Sequence, residues 1–140
     1  MNNGTYSLAG DFINNQASMS AGTATSSGTI AFAGVSLQTV GGTQPSNFYN
    51  ATINNASHVK MGADLYISNI FTPKNGNLLI NGNNLNLGGV IDNSGSNTGA
   101  IAADADANGT SSLSITGAGN LTGSLKFATG SQVLKNFSLN

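Results

Sequence analysis

Apolar residues along this chain come in short pairs, each with one polar or small residue between its members. Ile30/Phe32, Val35/Leu37, Val59/Met61, Leu65/Ile67, Leu78/Ile80 and Leu85/Leu87 are the clearest. Successive side chains of a strand point to opposite faces, so such a pair predicts a short strand with one face buried. Tyr6/Leu8, Phe12 and Met19 open the series. Leu113/Ile115, Leu121, Leu125/Phe127, Val133-Leu134 and Phe137/Leu139 close it. The stretch Phe48–Asn55 is the densest part of the pattern, and it returns near the end as Leu134–Asn140.

Turn residues punctuate the pairs. Gly10, Asn14-Asn15 and Gly34 suit tight turns, the first three with positive φ. Residues 23–28 read as a polar connector, and Gly41–Ser46 as a loop in which Pro45 has no N–H for a ladder. Pro73–Gly76 and Asn81-Gly82 are expected turns, the latter suited to positive φ at both residues. Residues 92–112 hold one large apolar side chain, Ile101, and read as a loop excursion or a thin alanine-packed turn.

Pairs spaced by about five to ten residues fit any half-buried sheet, including a sandwich of hairpins. The strands are very short, and asparagine recurs at matching places, as inward amide ladders require. Both features favour a parallel solenoid. The expected fold is therefore all-β: a parallel β-solenoid or β-helix segment with short irregular coils, with an antiparallel β-sandwich as the alternative. Residues 1–140 read as a single module of a longer repeat protein, with a degenerate internal repeat between 28–54 and 123–140. Gly28–Gly34 resembles Gly123–Gly130, and Asn50 and Asn54 have the spacing of Asn136 and Asn140.

Composition narrows the partners. Charged residues make up 6% of the chain, against about 25% in an ordinary domain. The four cations are all lysine and the five acids all aspartate. Without Glu and Arg the chain lacks the usual material of surface helices. A net charge of -1 and no arginine also argue against a surface that tracks nucleic-acid phosphates. There is no cysteine for a disulfide or a thiolate metal site. No apolar run reaches the roughly 18 residues of a membrane span, and no basic and apolar leader follows Met1.

The texture of Ser7–Asn15 (SLAGDFINN), Gly28–Gly34 (GTIAFAG), Asn47–Asn69 and Gly76–Gly89 resembles the repeat region of large surface and secreted proteins of the Bacteroidetes. Those are similar to adhesins exported by the type IX secretion route, including gliding-motility adhesins. The resemblance implies an extracellular, adhesive or spacer module at the bacterial cell surface. Its motifs are structural, so it carries over no functional residue.

Direct chemical signals are few. Asp104-Ala-Asp106-Ala-Asn108-Gly109-Thr110 has the opening grammar of a calcium loop, but the twelfth position, which should be acidic, is Ile115. A polar turn is the plainer reading. His58 is the single histidine, which excludes a multi-histidine metal site. Ser57-His58 with Asp64 names the members of a triad without its surroundings, and a polar histidine at a strand start is the simpler account. Asp11, Asp64, Asp92, Asp104 and Asp106 are too scattered for paired-carboxylate chemistry. Tyr6, Tyr49 and Tyr66 with Phe48 and Phe71 fit core or edge packing better than a sugar platform.

No residue is thus assigned a catalytic, cofactor-binding or metal-binding role. The expected function is a non-catalytic structural or adhesive module. Its expected partners are neighbouring modules or like subunits end to end, with surface glycans as a further candidate. Two alternatives are a carbohydrate-binding β-sandwich and a self-assembling extracellular filament subunit.

Overall fold

The apolar-x-apolar pairs become strands that stack on one another rather than folding back as hairpins. A computed structural model describes residues 3–16, 27–104, 108–117 and 125–140. Its strands are β1 (Thr5–Leu8), β2 (Phe12–Ile13), β3 (Thr29–Phe32), β4 (Gln38–Gly41), β5 (Ser46–Asn54), β6 (Val59–Met61) and β7 (Leu65–Asn75). They continue with β8 (Asn77–Leu79), β9 (Asn84–Leu87), β10 (Val90–Ile91), β11 (Ala100–Ala102), β12 (Ser112–Ile115) and β13 (Asn136–Leu139). The described residues contain no helix.

Every pairing between these strands is parallel. The chain is a β-solenoid of about five turns. A sandwich requires antiparallel neighbours, so that alternative is excluded. Each central turn supplies one rung to each of three ladders. The first ladder runs through the starts of β5 and β7, then β9, β12 and β13. The second runs through β1, β3, the later parts of β5 and β7, and β10. The third runs through β2, β4, β6, β8 and β11. The first two belong to one sheet, bent at the register shift between Phe48 and Asn50. Central turns take about 20 residues each, as the stacked series Asn50, Ile70, Val90 shows.

Stacking explains the core. Phe48, Ile67, Leu87 and Ile115 occupy one register of the first ladder, and all four are buried. Ile30, Ala51, Phe71 and Ile91 do the same in the second. Val59, Leu78 and Ile101 do so in the third. Each turn alone exposes its apolar face, so the rungs are stable only in company. Phe12 closes the upper turns edge-on against Phe48, with ring centroids 4.9 Å apart.

Several local expectations change. Asn81 and Gly82 both have positive φ, as their dipeptide predicts. Gly10, Asn14 and Asn15 do not; the positive φ falls instead on His58. Pro73 lies inside β7 and is buried, and the turn waits for Gly76. The ladder tolerates a residue without an N–H there because its register breaks beside it, between Ile53 and Asn54. Ala100–Ala102 is a buried rung of the third ladder, and the excursion before it is confined to residues 92–99. Backbone bonds override alanine's weak strand preference: Ile80 N–H to Ala102 O at 2.9 Å and Ala128 N–H to Ile101 O at 2.8 Å.

The connector at 23–28 lies mostly outside the described residues. In the internal repeat, Phe32 stands in the second ladder, whereas Phe127 bridges to Ile101 of the third. Asn50 likewise stands in the second ladder and Asn136 in the first.

Candidate binding face and loop anchors

Asp104 follows the last rung of the third ladder. Its backbone exchanges two hydrogen bonds of 2.9 Å with Val133. Its carboxylate turns back on its own loop: Oδ2 accepts from the N–H groups of Thr110 (2.6 Å) and Ser111 (2.7 Å). Oδ1 accepts from the Ser111 hydroxyl at 3.0 Å, and Ser111 Oγ in turn accepts from Gly82 N–H at 2.9 Å. The Ser111 N–H is the main reason the Asp104 carboxyl is held below its ordinary value. Burial opposes it, and the Thr110 N–H and Ser111 hydroxyl add to the lowering. The calcium-loop reading therefore meets a carboxylate already engaged in closing residues 104–111. Ile115, at the twelfth position, is a core residue of β12. Asp106 lies outside the described residues. Among the described residues, no three His, Cys, Asp or Glu side chains come together around a possible metal position.

The three residues named for a triad staple different turns together. Ser57 Oγ donates to Val35 O at 2.9 Å, away from His58. His58 has φ 74°, and its Nδ1 accepts from Asn77 N–H at 3.0 Å. Asp64 accepts from Asn84 N–H and Nδ2 at 2.8 and 2.9 Å. In each case one turn satisfies a polar group of the next.

A further group of staples is buried and was missed from sequence. Gln38 Oε1 accepts from Gly34 N–H (2.8 Å) and Asn55 Nδ2 (3.0 Å). Gln38 Nε2 donates to the carbonyls of Leu8 (3.1 Å) and Gly10 (2.5 Å). Asn55 Nδ2 also donates to Ser36 O at 2.7 Å. Asparagine does act inside the stack, but chiefly on backbone carbonyls. An asparagine-to-asparagine link, from Asn69 Nδ2 to Asn50 Oδ1 at 2.8 Å, has the form expected of a ladder. The single usable signal for Gln38 was its place between the turn at Gly34 and the apolar Val40.

The aromatic residues divide by face. Phe48 and Phe71 are core, Tyr6 is exposed on the outermost rung of the second ladder, and Tyr49 sits at the bend of β5. Tyr66 points outward from the first ladder, in register with Asn86, Ser114 and Ser138. This outer face has two adjoining hollows. One, of about 220 Å³, lies between Asn84, Asn86, Ser112, Ser114, Asn136 and Ser138. The other, of about 200 Å³, lies around Asn47, Tyr66, Ser68, Asn86 and Thr116. Asn86 belongs to both. Some of their polar groups bond across rungs: Ser138 Oγ to Ser114 Oγ at 2.8 Å, and Thr116 Oγ1 to Asn86 Oδ1 at 3.1 Å.

Amides and hydroxyls donate and accept, and a half-buried tyrosine ring adds a stacking surface. A face of this kind, without a charged lining residue, suits an uncharged polyhydroxyl ligand better than a phosphate or a cation. Comparison of the chain with protein-family models, curated proteins and solved structures finds no match.

Proposed function

We propose that this chain is a non-catalytic structural and adhesive module: a stiff spacer whose first-ladder flank holds uncharged glycans. The observation that carries the reading is the outer face from Tyr66 to Ser138. It offers stacked amides and hydroxyls, one aromatic ring and no charged lining residue. Stiffness follows from stacking, since a solenoid lengthens by adding rungs to a continuous core and needs neither charge nor disulfides. The resemblance to Bacteroidetes surface proteins supports an extracellular location, gliding-type adhesion and type IX export as parts of the same proposal.

The test is retention on insoluble neutral polysaccharides, backed by a glycan array. Retention should persist at high salt, where charge-driven binding fails. Tyr66→Ala should weaken it by about tenfold, as expected for loss of one stacking contact. Equal retention of wild type and variant would remove the flank from the proposal. Release of reducing sugar from the polysaccharide would overturn the non-catalytic reading.

A further inference from the structure

β1 and β13 are the two edge strands of the eight-stranded sheet. Among the described residues, nothing pairs with the outer side of either. Both have their inward positions uncovered: Tyr6 is 42% exposed at one end, and Phe137 and Leu139 are 54% and 68% exposed at the other. These last two continue the stacks of Leu85–Leu113 and Leu87–Ile115, whose members are buried. Among the described residues, β13 thus leaves apolar side chains uncovered along the axis.

The two edges also match each other. β1 reads Thr-Tyr-Ser-Leu and β13 reads Asn-Phe-Ser-Leu, that is polar, aromatic, serine, leucine. Their existing partners follow the same alternation, Thr-Ile-Ala-Phe beside β1 and Ser-Leu-Ser-Ile beside β13. Neither edge strand carries a charge, a proline or a bulge, the devices that keep a free edge from pairing.

We propose that copies of this chain stack head to tail, β1 of one copy adding to the open edge of β13 of the next. Tyr6 lies over Phe137, Ser7 over Ser138 and Leu8 over Leu139. The new pair is parallel, like every other pair in the sheet, and Ser7 prolongs the hydroxyl row of Ser114 and Ser138. A two-fold contact between two β13 strands is antiparallel and breaks that continuity. Because β1 belongs to the second ladder and β13 to the first, each added copy is turned by one face about the axis. Such a heterologous contact does not close on itself, so it propagates as a filament. This inference is independent of glycan binding by the flank.

The absence of cysteine makes the register directly testable. Ser7 and Ser138 are exposed, and neighbouring strands lie about 4.8 Å apart, within disulfide reach. Mixing S7C with S138C under mild oxidation should give a covalent mixed dimer, while each variant alone forms no disulfide-linked dimer. Sedimentation of the wild-type chain should show growth with concentration, and Leu139→Lys should abolish it without lowering the melting temperature. Three results overturn the proposal: a wild-type chain monomeric at every soluble concentration, homodimers of S7C or S138C as abundant as the mixed dimer, or growth unaffected by Leu139→Lys. If a cysteine variant does not fold, the sedimentation pair decides alone.

Discussion

Asn55 Nδ2 donates to Gln38 Oε1 at 3.0 Å inside the solenoid, where both side chains are closed to solvent. Through this contact and its neighbours, the first three turns are joined by side chains as well as by ladders. Gln38→Leu keeps much of the volume but removes the partners of the Gly34 N–H and the Gly10 carbonyl, while Leu8 O keeps the Ala33 N–H and Asn55 Nδ2 keeps Ser36 O. A buried polar group left without a partner costs about 1–3 kcal/mol. The variant is expected to lose about 2–4 kcal/mol, read from urea unfolding. A loss below half a kcal/mol would mean that water replaces the glutamine.

Two glycines with positive φ should respond differently to alanine. Gly95, in the 92–99 excursion, has φ 63° and open space where a Cβ would go. Gly95→Ala should cost about 1–2 kcal/mol, the strain of the left-handed conformation alone. Gly76 has φ 77°, and a Cβ there would run into the backbone carbonyl of Asn55 in the turn before. Gly76→Ala should cost more than about 3 kcal/mol, because backbone must move as well. Thermal unfolding of the pair checks the ranking.

Asp104 gives the chain a defined acid sensitivity. Its folded carboxyl is held below its ordinary value, chiefly by the Ser111 N–H. The stabilisation is therefore present above the unfolded value and lost as pH falls through the lower folded one. Asp104→Ala should lower stability by about 1 kcal/mol at neutral pH, since solvent screens a carboxylate this near the surface. The gap to wild type should close in acid, below the unfolded value. A gap independent of pH would show that the charge is irrelevant to the loop.

The same carboxylate predicts indifference to calcium. Its oxygens are engaged by Thr110 and Ser111, and Ile115 at the twelfth position brings no acid to help it. Millimolar calcium should leave the melting temperature unchanged and give no heat in calorimetry. A clear rise would restore the calcium loop that the residues Asp104, Asp106 and Asn108 suggest.

Leu87 and Leu139 occupy the same register of the first ladder with opposite exposure, 1% against 68%. Leu87→Ala should cost about 2–5 kcal/mol, as expected for a core truncation. Leu139→Ala should be near neutral in dilute solution. Unfolding curves at low protein concentration make the comparison.

Much of this architecture is legible in the sequence, because strand periodicity and turn chemistry are local. Leu65/Ile67 and Leu85/Leu87 announce their own alternation, and Asn81-Gly82 its own backbone. Glu-free and Arg-free composition points away from surface helices. What a strand pairs with is not local. Phe48 meets Ile67 and Ile67 meets Leu87 because the rungs stack, and the same alternation would serve an antiparallel hairpin. Tertiary structure alone placed Pro73 inside a strand, made Ala100–Ala102 a rung and put Gln38 and Asn55 out of reach of water. Each of those residues is held by backbone groups one turn or more away, and no property of the residue itself names that partner. The sequence by itself determined short, half-buried strands and uncharged surfaces. The parallel stack decided which face each occupies, because only neighbouring turns can bury the apolar residues and satisfy the polar ones.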